Sequence, residues 1–329
     1  MVEGQESGTG RWHTVRLATL SFYEYLQIKK VAEPKLPPVT SLQKLLKWSE
    51  MDFARTAADA KPLTGHFHDY LMRGGFPQCA LVDNVVAAQK LLREDIVDKV
   101  LKRDMTALYG VRRVLELEQT FLYLCLHDGG LLDMADLGKN LQVKKPTATS
   151  YINLLEAAHL IHRLPPFGYG KEILRGRYKV YLADAAISPS VLLKGKSLLE
   201  DASAMGAAVE TAFFKHVFTR YYQQSVGFSY WRGKKDHEVD VIAEVEGRLV
   251  PFEVKYRHQA TGWAELKGMV EFCKERKVPL GYVITKEPND FGLMERELET
   301  GNTLQLLKIP APLACYWLGK LEIDGQADS

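Results

Sequence analysis

Cysteine is scarce in this chain. It has four in 329 residues, Cys79, Cys125, Cys273 and Cys315, and no two stand in a CxxC pair. That excludes a zinc ribbon, and at this length a disulfide framework is not expected. All four lie among apolar residues and read as buried free thiols, which fits a reducing cytoplasm. Long apolar runs are lacking too: Phe121–Leu126 is about the longest, well short of the ~20 residues of a membrane span. The first residues, MVEGQESGTGRW, lack the basic and apolar regions of a signal peptide. The expected location is therefore the cytoplasm, with no membrane partner. No repeat or low-complexity tract occurs, and a net charge of +2 says little about partners by itself. A P-loop is also missing. Gly195-Lys196-Ser197 is the one Gly-Lys-Ser, and Ser190 stands where GxxxxGK[ST] needs its first glycine. No ATP binding is expected.

What is present divides into three regions. Residues 1–107 alternate helical stretches with proline-rich breaks such as Glu33–Val39. "QKLLKWSEMDFART" reads as one helix. A longer one is predicted over Val85–Ala107, with Val86, Leu91, Ile96 and Val100 as apolar anchors. In residues 108–200, three helices precede a strand at Tyr178–Asp184, the order of a winged helix-turn-helix. Residues 201–329 open with a helix whose Val209, Phe213, Val217 and Tyr221 form a stripe. Strand-like segments "GFSYW", "EVDVIAEV", "LVPFEVKY", "GYVIT" and "TLQLLKI" follow, with a helix between the third and fourth. The fold class expected is α/β multidomain, with a mixed sheet in the last region.

The chemistry lies in "EVDVIAEVEGRLVPFEVKY". Glu246-Gly247 between two alternating apolar runs signals a two-residue hairpin turn. Counting back from Val245 opposite Arg248 sets Asp240 opposite Glu253, with Lys255 on the face of Glu253. Opposed carboxylates repel across a ladder, and a divalent cation between them reverses the sign. Asp240 and Glu253 are thus candidate ligands for Mg²⁺ or Mn²⁺, which take oxygen donors. Lys255 could orient or deprotonate an attacking water. Glu-x-Lys occurs four times, beginning at Glu33, Glu253, Glu265 and Glu275, but of these Glu253 is the one in an apolar strand facing an acid.

Together "GAAVETAFFKHVF", "YWRGKKDHEVDVIAEV" and "VPFEVKY" resemble the PD-(D/E)XK superfamily. They are similar in particular to the C-terminal region of archaeal-type AAA-superfamily ATPases. The resemblance implies a restriction-endonuclease-like mixed sheet with Glu210, Asp240, Glu253 and Lys255 at the catalytic positions. "GRWHTVRLATLSFYEYL", "GGFP" and "LLEAAHLIHRLPPFG" extend it upstream, so that residues 1–107 are similar to a remnant of the ATPase module without its P-loop core. The implied function is Mg²⁺-dependent DNA hydrolysis. The alternatives are a non-catalytic DNA- or protein-binding module, or an accessory subunit of a separate ATPase, with a vestigial site.

From Lys139 to Lys179 eight Lys and Arg stand against two acids, +6 in a chain of +2. Lys144, Lys145, Thr147, Thr149 and Ser150 open the third helix of the middle region, where helix-turn-helix proteins meet the groove. With Arg175, Arg177, Lys179 and Arg232 they are the expected contacts to DNA, the expected partner.

Overall fold

The computed structural model describes residues 17–168, 176–221, 226–233, 235, 237–245, 247–298 and 301–327, with side chains to residue 321. Serines decide where the first helices begin. Ser21 caps α1 (Phe22–Ile28): its hydroxyl accepts the Glu24 amide, and the Glu24 carboxylate accepts the Ser21 amide. Ser49 and Asp52 do the same for α2 (Glu50–Ala60). That cap divides the single helix expected here, since Trp48 and Ser49 are extended and Leu42–Lys47 forms a separate 3-10 turn. After α3 (Leu63–Arg73) and α4 (Pro77–Leu81), α5 (Val85–Arg93) runs into a π-helical stretch, Glu94–Asp104, and then α6 (Met105–Tyr109). The buried side chains are Val85, Ala88, Gln89, Leu92, Ile96, Leu101 and Met105; of the four expected anchors Ile96 is buried, Leu91 and Val100 are half-buried and Val86 is exposed. The five-residue step from Ile96 to Leu101 suits i→i+5 bonding.

The middle region contains α7 (Val114–Leu126), β1 (Leu131–Leu132), α8 (Met134–Leu141), α9 (Lys145–Ala157), β2 (Ile161–Leu164) and β3 (Tyr178–Leu182). β3 lies between β1 and β2, antiparallel to both. α10 (Ile187–Val191) leads on to α11 (Ala202–Tyr221). Six strands follow: β4 (Gly227–Arg232), β5 (Glu238–Val245), β6 (Arg248–Lys255), β7 (Leu280–Thr285), β8 (Gly292–Glu297) and β9 (Thr303–Pro310). Their order in the sheet is β4-β5-β6-β7-β9-β8; β7 pairs in parallel with β6 and β9, and the other pairs are antiparallel. The protein is thus α/β, with a helical N-terminal part and a mixed C-terminal sheet. α12 (Lys267–Arg276) covers one face with Ile242, Val283 and Leu306. α11 and α13 (Ala311–Ala327) cover the other, with Val241, Phe252 and Ile284.

The core does not divide at residues 107 and 200. Phe22, Phe67 and Tyr70 share one apolar cluster with Phe213, Trp317 and Phe252. Ala88, Leu92 and Ile96 instead share another with Phe121 and Ile152. The N-terminal helices therefore split between two cores. α11 is enclosed as a result: of the expected stripe Val209, Phe213 and Val217 are buried and Tyr221 is half-buried, but Phe214, Lys215 and His216 are buried too. His216 Nε2 accepts the Phe22 amide at 2.8 Å, and its Nδ1 lies 2.6 Å from the Ala212 carbonyl. Burial, then the Lys215 charge, depresses its pKa to about 3. The unfolded chain, with an imidazole near 6.5, takes up that proton first as pH falls. We expect wild type to lose stability relative to His216→Gln by about 1.4 kcal/mol per pH unit below 6.5, or roughly 2 kcal/mol by pH 5. Urea melts of both proteins at pH 7 and pH 5 measure this, and parallel losses would rule it out.

Candidate functional site

The hairpin turns where alternation predicts. Val245 pairs with Arg248, and the ladder continues to Val241–Phe252, which brings Asp240 level with Glu253. Gly247 takes φ +75 in the turn, while Glu246, the other expected turn residue, lies outside the described residues. β5 is not regular at Asp240. Between Ser229–Ile242 and Trp231–Val239, β4 advances two residues and β5 three, so β5 carries a bulge at Asp240-Val241. The Asp240 carboxylate accepts the Val254 amide at 2.8 Å, and the Asp240 amide points to Glu253 Oε2 at 3.3 Å. Lys255 Nζ is bonded to Glu253 Oε1. Glu210, from the middle of α11, reaches the same end of the sheet.

An ammonium group stands among these carboxylates. Lys179, from β3, places Nζ 2.7 Å from Asp240 Oδ1, 2.7 Å from Glu210 Oε1 and 2.9 Å from Glu238 Oε1. Its side chain is 4% exposed. Expected as a DNA contact, Lys179 is instead buried, because β3 packs against the C-terminal part of the chain. Tyr181, two residues on, donates to Glu210 Oε1 at 2.7 Å. Glu238 was not a candidate from sequence. Its spacing of two from Asp240 on one strand was the available signal, and so was a lysine inside the apolar run "YKVYL".

Four carboxylates and two lysines thus share this end of the sheet, and their titration divides accordingly. Burial pushes Asp240 up, but Lys179 and Lys255 prevail and hold it below the usual carboxylate range. Glu253 is pushed up to about 8, by burial and then by the Asp240 charge, against Lys255. Glu210 rises for the same two reasons against Lys179. Lys255 loses basicity to burial but gains more from Glu253 and Asp240, so it remains a cation. Burial and neighbouring charge thus move the two carboxylates apart, Glu253 toward its protonated form and Asp240 toward its ionised form. Among the described residues, no group of three or more His, Cys, Asp and Glu is arranged to hold a metal ion.

The region of Lys179 is clamped to edge strand β4. Tyr230 donates its amide to the Pro165 carbonyl at 3.0 Å and accepts the Phe167 amide at 2.6 Å. Its hydroxyl donates to the Arg177 carbonyl at 2.7 Å. Asp128 accepts the Leu182 amide and the Thr211 hydroxyl, tying β3 to α11.

The basic segment is less free than its composition implies. Arg163 pairs with Glu156, Arg177 with Asp133, and Lys179 with three acids. Lys144 and Lys145 are exposed at the start of α9; Lys139 in α8, Ser150 further along α9 and Arg232 in β4 are exposed too, and Thr147 and Thr149 are half-buried. The Thr149 hydroxyl donates back to the Lys145 carbonyl. Arg175 lies outside the described residues. Gly195-Lys196-Ser197 lies in a 3-10 turn that follows α10, not a strand. A cleft of 430 Å³ beside Lys196, Asp69 and Arg73 is lined by none of the acidic group. Among the described residues no helix is long and apolar enough to cross a membrane.

Two family models match the chain. Residues 64–197 match a domain of unknown function, DUF8612, and residues 205–307 match another, DUF4143. The second is found in the C-terminal region of AAA-ATPase-like proteins. An uncharacterized protein of Mycobacterium tuberculosis is 28% identical over 167 residues, covering 50% of this chain and 37% of its own length. A Mycobacterium bovis protein, also uncharacterized, matches to the same extent. An uncharacterized protein of Methanocaldococcus jannaschii is 22% identical over 275 residues, 82% of this chain and 56% of its own length. The chain therefore spans between about a third and just over half of the relatives it matches.

Proposed function

We propose that the C-terminal part is a PD-(D/E)XK nuclease-like domain, that the middle region is a winged helix, and that together they bind and cut DNA with Mg²⁺ or Mn²⁺. One observation carries this reading. Glu210, Asp240, Glu253 and Lys255 come from α11, β5 and β6, yet a continuous chain of contacts through Lys179 joins them at one end of the sheet. The donor chemistry suits the ion, since hard divalent cations take carboxylate oxygens, and two of these acids, Glu210 and Asp240, with Glu238, already surround a cation in the form of the Lys179 ammonium. Asp240 and Glu253 would hold the metal, with Glu210 assisting. The metal would supply charge for the phosphate and lower the pKa of a bound water.

In hydrolysis, water gives its hydroxyl to phosphorus and a proton to the departing oxygen, so one P–O bond forms and one breaks. Lys255, held as a cation by its acidic neighbours, is better suited to orient the water and stabilise charge than to accept a proton. The test is cleavage of single- and double-stranded DNA by wild type and Lys255→Ala with each metal. Turnover should vanish in the variant while Mn²⁺ affinity stays largely intact, since lysine is not a ligand. Equal activity in both proteins would sink the reading.

A second reading is a non-catalytic DNA- or protein-binding module, and the Lys179 ammonium lodged in the acidic group favours it. An accessory role beside a separate ATPase is consistent with the C-terminal position of the DUF4143 domain in AAA-ATPase-like proteins. If the middle region binds DNA, with or without cleavage, duplex affinity should fall steeply with salt, and Lys144→Ala with Lys145→Ala should make log K against log[salt] shallower by up to ~2. A slope unchanged by the pair would assign this face to protein docking.

A further inference from the structure

We infer that Lys179 is a built-in plug. It occupies the cation position of the acidic site, so that a divalent ion enters only when the β3 side chain leaves. The inference rests on the nuclease-like reading above and concerns how that site is regulated. Its ground is geometric. A lysine with a 4% exposed side chain contacts Glu210, Glu238 and Asp240 at 2.7–2.9 Å, drawing on α11 and both ends of the Glu238–Asp240 segment. A divalent cation bound by those oxygens would lie within about 2.0–2.6 Å of each, in the space the ammonium fills. Two positive centres cannot share it without the repulsion that a low-dielectric interior magnifies.

The plug also comes from outside the domain it closes. Glu210, Glu238, Asp240 and Glu253 belong to the last third of the chain, whereas Lys179 belongs to the three-stranded sheet that packs with α7, α8 and α9. That sheet is held by Pro165 and Phe167 on Tyr230, Tyr230 on Arg177, Tyr181 on Glu210, and Asp128, which joins Leu182 to Thr211, while the Tyr181 ring stacks on Phe214 with centroids 4.4 Å apart. The exposed Lys144 and Lys145 lie on α9, in the same packed unit. A ligand that draws this unit away from β4 would withdraw Lys179 and uncover the carboxylates together.

The experiment measures Mn²⁺ binding to the full chain by calorimetry, for wild type, Lys179→Met and Lys179→Met/Asp240→Asn. Removing the ammonium should tighten Mn²⁺ binding at least tenfold, and the added Asp240→Asn should abolish the gain. Mn²⁺ should also raise the melting temperature more in Lys179→Met than in wild type. Should Lys179→Met fail to fold, Lys179→Met/Glu238→Gln removes one charge of each sign and should bind Mn²⁺ more tightly than Glu238→Gln alone. Equal, Asp240-dependent binding by wild type and Lys179→Met would overturn the plug and leave the metal-dependent reading standing. Folded proteins that bind no Mn²⁺ with or without Lys179 would overturn both.

Discussion

Replacing Lys215 with Met should cost the folded protein about 3–5 kcal/mol, the usual penalty for stranding one partner of a buried ion pair. Lys215 is at the centre of the junction between α11 and the N-terminal part. Its Nζ reaches Asp184 at 3.1 Å, the Tyr70 hydroxyl at 2.6 Å, the Thr19 hydroxyl at 2.7 Å and the Leu20 carbonyl at 2.7 Å. Burial pushes Asp184 up, but Lys215, with the Thr19 hydroxyl and the Ala186 and Gly75 amides, holds it below the usual range. A depressed carboxylate contributes stability above its unfolded pKa and loses it as pH falls through the folded value. The penalty of Lys215→Met should therefore be greatest at pH 7 and shrink toward pH 4, where the stranded Asp184 takes up a proton. Adding Asp184→Asn should recover part of the loss at pH 7, a coupling that a double-mutant cycle reads directly. A loss under about 1 kcal/mol at pH 7 would mean that the pair does not hold this junction.

A fragment of residues 201–329 should not fold on its own. The family resemblance makes it look like a domain, but α11 and α13 need the N-terminal helices to complete their core. Phe213 and Trp317 are buried in one cluster with Phe22, Phe67 and Tyr70. Trp317 stands 6.0 Å from Trp48, ring to ring. The fragment would also lose the Phe22 amide that His216 accepts and all four groups bound by Lys215. Buried polar groups left without partners cost about 1–3 kcal/mol each, against a total stability of only about 5–15 kcal/mol. The expected product binds a hydrophobic dye and lacks a cooperative thermal transition. A sharp melt with full near-UV circular dichroism would show the last third to be autonomous.

The β5–β6 hairpin was legible because its signals are local. Alternation set the faces, Gly247 allowed the positive φ of the turn, and the register followed by counting. Five of the six strands of the large sheet were legible for the same reason. The sixth, β8, has the polar end "MERE" and sits at the sheet edge, where one exposed face gives no apolar pattern. α13 was not anticipated either: buried almost all round from Ala311 to Leu318, it has no polar face to reveal a helical period.

Sequence by itself determined five strands of the large sheet, the helix that precedes them, and that Asp240 and Glu253 must meet, because those outcomes depend on neighbours a few residues away. It could not determine what charge would compensate them. Lys179 lies 61 residues before Asp240 and reads locally as one more cation of a basic segment. The docking of the three-stranded sheet against β4 and α11 decided that it becomes a buried partner of Glu210, Glu238 and Asp240. The same packing divided the N-terminal helices between two cores. Such pairings minimise buried charge and apolar exposure over the whole chain, and no local window of sequence contains that minimum.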